Sequence, residues 1–411
     1  MSIFDSLALP GGSVIENRIA KAAMEGNMAD DDQSPSDELL RLYKAWAEGG
    51  AGLLISGNVM IDGRAMTGPG GVVLEDARHL ARFKRWAQVG RSKGAQFWLQ
   101  LNHPGRQMPA NLGQATWAPS AVAMDLGSMS RHFNPPQEMT QAIIENVIQR
   151  FARTAQLTEQ AGFSGVQIHA AHGYLISQFL SPLTNQRTDQ WGGSLENRTR
   201  LLIEVIKAVR AMVTPGFAVA VKLNSADFQR GGFSADDAKY VVARLNELPV
   251  DLVEMSGGSY EAPAMQGVAR DGRTLAREAY FLEFAREIRA VAKMPVMVTG
   301  GIRRRAVAEE VIASQVDMVG IGTALAIEPD LPRQWRDARN VVPELPAITW
   351  KNKVLASVAN MAVVKFQLRR LSQGKASRPA VSPLRALVVQ QISAALRARR
   401  YRQWVDARRN P

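Results

Sequence analysis

The sequence predicts a closed (β/α)8 barrel, the TIM-barrel class, followed by a basic helical extension. Three observations predict it. Eight short, nearly continuous apolar runs recur between residues 18 and 322: RIAKAAM (18–24), AGLLISGNVM (51–60), AQFWLQL (95–101), GVQIHA (165–170), FAVAVKLN (217–224), VDLVEMS (250–256), PVMVTGG (295–301) and VDMVGIG (316–322). Such runs suit strands buried on both faces better than strands with one wet face. Amphipathic segments of helical period lie between them, and strand–helix alternation calls for parallel strands with right-handed crossovers. Polar residues then fall at the C-terminal end of each run, where a barrel places its active site.

The elements follow in order. After the first run, SDELLRLYKAWAEGG (36–50) repeats apolar residues at Leu39, Leu42, Tyr43 and Trp46 and stops at Gly49 and Gly50, a helix with a glycine end. LENRTRLLIEVIKAVRAM (195–212) follows the fourth run and REAYFLEFAREIRAVAK (277–293) the sixth, with the same period. Eight units point to closure. An open doubly wound sheet is the alternative, but it usually carries G-x-G-x-x-G after its first strand, and the chain has no such match.

Composition narrows the chemistry. The chain has 411 residues and no cysteine, which excludes disulfides, thiolate metal sites, iron–sulfur clusters and a catalytic thiol. No run approaches the length of a membrane span. The acidic, proline-broken start MSIFDSLALPGG does not read as a secretory signal, so a cytoplasmic location is expected. Of the 50 Lys and Arg, 14 lie from Pro346 onward, with one of the 38 acids, Asp406; the extension therefore carries +13 and the body −1. The expected division is a barrel over 1–345 and an extension over 346–411.

Two of the five histidines, His169 and His172, end the fourth run in HAAHGY, with Tyr174 beyond them. Two imidazoles so placed can donate to one carbonyl or anionic oxygen, and a tyrosine can deliver a proton to a developing carbanion. The alternative is one solvent-facing histidine and one capping the next helix. Gly300, Gly301, Gly320 and Gly322 follow the last two runs, where backbone amides can approach a phosphate; the alternative is an ordinary turn. Gln100 and Lys222 interrupt apolar runs. A buried lysine needs a bound anion, an electron-rich ring or an internal carboxylate as partner.

These residues resemble the Old Yellow Enzyme family of FMN-dependent NAD(P)H oxidoreductases and ene-reductases. NRIAKAAM (17–24) and WLQLNHPGR (98–106) are similar to its first- and third-strand motifs. HAAHGYLISQFLSPLTNQRTDQWGGSLENRTRLLIEVIKAVR (169–210) is similar almost throughout to its longest motif. MVTGG and VGIG stand where its phosphate-binding strands end. The resemblance implies tightly bound FMN, with NADH or NADPH as reductant. It implies that His169 and His172 hold the carbonyl oxygen of an α,β-unsaturated substrate. Hydride would pass from FMN N5 to Cβ and a proton from Tyr174 to Cα. It implies cofactor contacts from Ala22, Ala23, Met24, Asn58, Gln100, Lys222, Gly300, Gly301, Gly322 and Thr323. Reduction of nitro groups or quinones is the alternative chemistry, and a flavin-pocket barrel acting as a binding or scaffold protein is the non-enzymatic one. Two positions depart from the family pattern. Glu25 stands where Thr or Cys is frequent, and an unpaired carboxylate there opposes flavin reduction. Thr323 stands where Arg often holds the phosphate. The stretch SGGSYEAPAM (256–265) marks a branch with no substrate attached to it.

The extension reads as two helices, about 351–372 and 383–406, broken by SQGKASRPAVSP. Leu384, Val388, Ile392 and Leu396 form a stripe on the second, with arginines, Tyr401 and Trp404 after it. Packing on the barrel or on a second subunit is one expectation. An interfacial helix on anionic lipid is another, and nucleic acid a weaker third.

Overall fold

The computed structural model describes residues 1–264 and 278–409. Met265 of the SGGSYEAPAM stretch and Arg277 of the sixth helical segment lie outside the described residues. Eight parallel strands close into a barrel: β1 (Ile19–Lys21), β2 (Leu53–Met60), β3 (Gln96–Asn102), β4 (Gly165–Ala170), β5 (Ala218–Asn224), β6 (Leu252–Ser256), β7 (Val296–Val298) and β8 (Met318–Ile321). Each pairs with its sequence neighbours, and β8 pairs with β1 to close the ring. The first strand is shorter than its apolar run, because after the Ala22 amide bonds the Ile321 carbonyl, Ala23 and Met24 leave the ladder as the chain turns over the mouth.

Helices α1 (Asp37–Glu48), α2 (Leu80–Arg91), α3 (Gln141–Gln160), α4 (Leu195–Met212), α5 (Ala235–Leu245), α6 (Leu282–Arg289) and α7 (Arg305–Ala313) follow the first seven strands. Their starts are locally encoded. The side chains of Ser36, Ser194 and Ser234 accept the amides of Leu39, Asn197 and Asp237, satisfying groups that no helical carbonyl reaches. The last unit holds two short helices, Thr323–Ile327 and Leu331–Arg336.

Inside the barrel, side chains stack in layers because successive residues of a strand alternate between faces. The lower layers are apolar: Ala20, Leu53, Ile55, Trp98, Ala218, Ala220, Leu252, Met297 and Met318 cluster there, closed from below by Leu7, Leu9 and Ile15 of an N-terminal hairpin. Two residues further along the neighbouring strands the interior turns polar. Gln100, Gln167, Lys222 and Glu254 form that layer.

The extension forms α8 (Lys353–Ser372) and α9 (Pro383–Arg409), close to the expected spans. Helix α8 packs on α1, and Arg41 Nε donates to the Ser372 carbonyl at 2.8 Å. The last turns of α9 pack on the β2 and β3 loops. Ala398, Tyr401 and Val405 join Met60, Met66, Val73, Met108 and Leu112 in one buried cluster. For Tyr401 and Trp404 the expectation of packing on the barrel holds, and that of a lipid-facing position does not. Tyr401 is fully buried and donates to the Gly63 carbonyl at 2.9 Å, and Trp404 lies against Gly63. The stripe ahead of them points outward: Leu384 is 64 % exposed, Val388 50 %, Ile392 58 % and Leu396 54 %. Among the described residues no helix is long and apolar enough to cross a membrane.

Candidate active site

The C-terminal mouth of the barrel gathers most of the residues that the sequence singled out. His169 is the fifth residue of β4 and projects inward beside Lys222 of β5. Its Nδ1 accepts the Ala171 amide at 3.2 Å, which leaves the proton of the neutral ring on Nε2, a donor toward the mouth. His172 sits at φ +60°, an uncommon conformation for a residue with a Cβ. It is held there from both sides. Its amide donates to Asn224 Oδ1 at 3.0 Å, and its Nε2 lies 2.7 Å from Ser256 Oγ. The two imidazole centroids are 5.0 Å apart, and the Tyr174 ring lies 4.8 Å from His169.

Burial sets the protonation of this wall. It pushes both histidines well below the ordinary imidazole range, with Lys222 reinforcing the effect on each and His172 on His169. Burial also raises the Tyr174 phenol well above its usual value, with Tyr260 and Glu25 adding to it. At neutral pH the wall therefore presents neutral imidazoles and a protonated phenol. The Tyr174 hydroxyl lies 3.1 Å from that of Tyr260.

Beneath the mouth, four polar side chains run across adjacent strands. Gln100 Nε2 donates to Gln167 Oε1, Gln167 Nε2 to Glu254 Oε2 and Lys222 Nζ to Glu254 Oε1, each at 2.7 Å. Lys222 thus has an internal carboxylate, the plainest of its three expected partners. Two of its three N–H donors remain uncommitted among the described residues. On the adjacent strand, a register shift in β2 between Ile55 and Asn58 sets Asn58 beside Gln100. Gly57 is needed at that bulge, since a Cβ would come within 2.4 Å of the Met24 carbonyl oxygen. Asn58 is buried, its side chain bonds Glu25 and Tyr174, and its Oδ1 has no partner among the described residues. Ala22 is buried, while Ala23, Met24 and Glu25 are half-buried at the rim.

Gly300 and Gly301 follow β7 with φ of +128° and +71°, values that favour glycine. Their amides meet no acceptor among the described residues. Gly322 and Thr323 follow β8; Gly322 is half-buried with Met24 as its nearest neighbour, and Thr323 is exposed. The donor set fits a flavin mononucleotide: free amides at the phosphate end, spare Lys222 donors and an orphan Asn58 acceptor at the ring end.

Gln167, Glu254 and Tyr260 were not singled out from the sequence. Gln167 and Glu254 carry the signal that marked Gln100 and Lys222, a polar residue within an apolar run. Tyr260 is placed by tertiary contacts: its amide donates to Gln107 Oε1 at 3.2 Å, and the next residue, Glu261, forms a buried ion pair with Arg106.

A flavin-dependent oxidoreductase barrel is the class this fold and mouth define. The family profile described as NADH:flavin oxidoreductase / NADH oxidase matches residues 2–341, and the chain belongs to that family. The cofactors the family implies are FMN and a reduced nicotinamide nucleotide. The chain is 37 % identical over 352 residues to the NADH-dependent flavin oxidoreductase iliE of Neonectria sp. (strain DH2), an alignment that covers 80 % of this chain and 46 % of that protein. It is 34 % identical over 349 residues to the protein of the same name in Hypocrea jecorina (strain QM6a), covering 80 % of this chain and 87 % of that one. Among solved structures, the Old Yellow Enzyme homologue from Zymomonas mobilis superposes with a TM-score of 0.71 at 26 % identity, covering 84 % of this chain and 95 % of that one.

Proposed function

We propose that the chain uses NADH or NADPH to reduce the activated C=C bond of α,β-unsaturated carbonyl compounds. The observation that carries this reading is the convergence of His169, His172 and Tyr174 on one wall with their protons in place. His169 Nε2–H and the His172 ring donate to the substrate carbonyl oxygen. Being neutral, they stabilise the enolate-like transition state through hydrogen bonds, and the Lys222 charge lies close by. Tyr174 Oη then delivers its proton to Cα and is held ready because burial keeps the phenol protonated. When bound, reduced FMN supplies the hydride. The polar edge of its ring is assigned to Gln100, Lys222 and Asn58, its underside to the backbone of Ala22, Ala23 and Met24, and its phosphate to Gly300, Gly301, Gly322 and Thr323.

The test is spectroscopic. Purified protein should show flavin absorbance that NADH or NADPH bleaches anaerobically and 2-cyclohexenone restores. A colourless preparation that takes up no FMN sinks the enzyme reading. Reoxidation by a quinone or nitroarene, with none by the enone, selects the alternative chemistry.

We also propose that the outer face of α9 meets an anionic membrane surface. Its four exposed aliphatic residues are flanked by Arg385 and Arg399, which have no carboxylate partner among the described residues. A second copy of the same face would bring like charges together, whereas anionic lipid complements both the stripe and its flanks.

A further inference from the structure

The matched family region ends at residue 341, yet a side chain from beyond that point reaches the mouth. Glu25 stands at the rim, partly exposed, beside the expected ring position. Its Oε1 accepts the Asn27 amide at 3.3 Å and its Oε2 the Thr67 hydroxyl at 3.4 Å. Asn27 is fixed at φ +50°, a left-handed conformation that asparagine tolerates better than most residues. There it serves two charged groups: its amide faces Glu25, and its Oδ1 accepts from the Lys365 ammonium on α8. Lys365 has no carboxylate within ion-pair distance among the described residues; burial lowers its pKa, Glu25 holds it up, and Arg397 and Arg369 add to the fall. Glu25 is its countercharge, across the shared Asn27. Burial pushes the Glu25 carboxyl up, and Lys365 is the strongest influence holding it down.

We propose that the C-terminal extension is a structural part of the reaction chamber, in which Lys365, through Asn27, offsets the Glu25 charge beside the flavin. Lys365 is a positioning residue in this scheme and touches neither substrate nor reacting atoms. A carboxylate at the rim disfavours the extra negative charge of a reduced flavin; an ammonium fixed close behind it cancels much of that field. The departure of Glu25 from the family pattern is then matched by a residue that the family region does not contain. The inference rests on FMN occupying the mouth, and it is independent of which oxidant the enzyme serves.

The test is an anaerobic redox titration of bound FMN from pH 6 to 9. The full-length holoenzyme would be compared with Lys365→Gln, Glu25→Gln and the double variant. Glutamine keeps a donor for Asn27 Oδ1 and removes the charge. In the part of the range where Glu25 and Lys365 are both ionised, Lys365→Gln should disfavour flavin reduction at least tenfold, about 30 mV for a two-electron couple. The same substitution in the Glu25→Gln background should produce no such shift. Coincident potentials for wild type and Lys365→Gln across the range overturn the proposal. So does a shift that persists undiminished without Glu25. Should Lys365→Gln lose FMN, the double variant must recover it, and failure to recover it also overturns the proposal. A wild-type protein that never binds FMN removes the cofactor reading itself, a different outcome from a flavin-bound protein with an unmoved potential.

Discussion

The β4 wall and the extension wall face the same mouth, but their polar groups are held in opposite ways. On the β4 wall, His169, His172 and Tyr174 lie within six residues of one another. A neighbour in sequence, the Ala171 amide, selects the His169 tautomer, and the ends of the next two strands hold His172. On the other wall, Lys365 meets Asn27 across 338 residues of chain. The closeness in sequence of its three side chains makes the first wall a motif, although His172 takes its partners from β5 and β6. The second exists only because α8 docks on α1. The difference teaches that a catalytic constellation and its electrostatic surroundings can have separate origins in one chain.

The largest expected effect breaks the first wall alone. Tyr174→Phe should leave flavin reduction by NADH intact and slow reoxidation by a cyclic enone about 10²–10⁴-fold, the usual worth of a positioned general acid. Equal reoxidation rates in stopped-flow traces would remove Tyr174 from the proton-donor role. Tyr260→Phe separates support from chemistry. It should slow the same half-reaction less than Tyr174→Phe does, because the donor itself remains.

The next effect falls on the extension. Tyr401→Ala empties a fully buried site and removes the bond to Gly63, so it should lower stability by about 3–5 kcal/mol. Urea unfolding with flavin fluorescence as a second probe would show whether the mouth loosens together with the helix. Stability within a fraction of a kcal/mol of wild type would mean that α9 is not docked on the barrel.

A pH effect distinguishes the β3–β4 side. His103, whose carbonyl accepts the Leu175 amide at the start of the helix after Tyr174, is driven by burial down to about 4. Between that value and the ordinary value of 6.5, the unfolded chain takes up a proton that the native state does not. Its contribution is therefore complete above 6.5 and lost as pH falls toward 4, on the order of 3 kcal/mol. In urea melts at pH 7 and pH 4.5, His103→Gln should lose less stability between the two conditions than wild type. An equal loss would show that His103 does not carry the dependence.

The smallest effect concerns the outer face of α9. Wild-type protein should pellet with anionic vesicles at low salt and largely detach at high salt, since screening weakens each arginine contact. Replacing Leu384, Val388, Ile392 and Leu396 with serine should abolish the salt-insensitive remainder. No pelleting under any salt condition would dispose of the membrane contact.

The eight strands, the helices after the first, fourth and sixth of them, and the HAAHGY segment were legible in the amino-acid sequence. Each is announced by a local pattern, a hydrophobic period or a tight segment at a strand end, even where distant residues such as Asn224 and Ser256 complete it. Gln100 and Lys222 were legible as anomalies, polar groups in apolar runs, but their linkage through Gln167 and Glu254 required the register of four strands. The extension was legible as basic and helical. Its division into an inward face that buries Tyr401 and an outward face that exposes Leu384 through Leu396 was decided only by docking against the β2 and β3 loops. Glu25 read as a departure from a family pattern, and its countercharge lay out of reach of any local rule. A hydrophobic period is written along the chain, whereas the partner of a buried charge is set by which distant segment fills the space beside it.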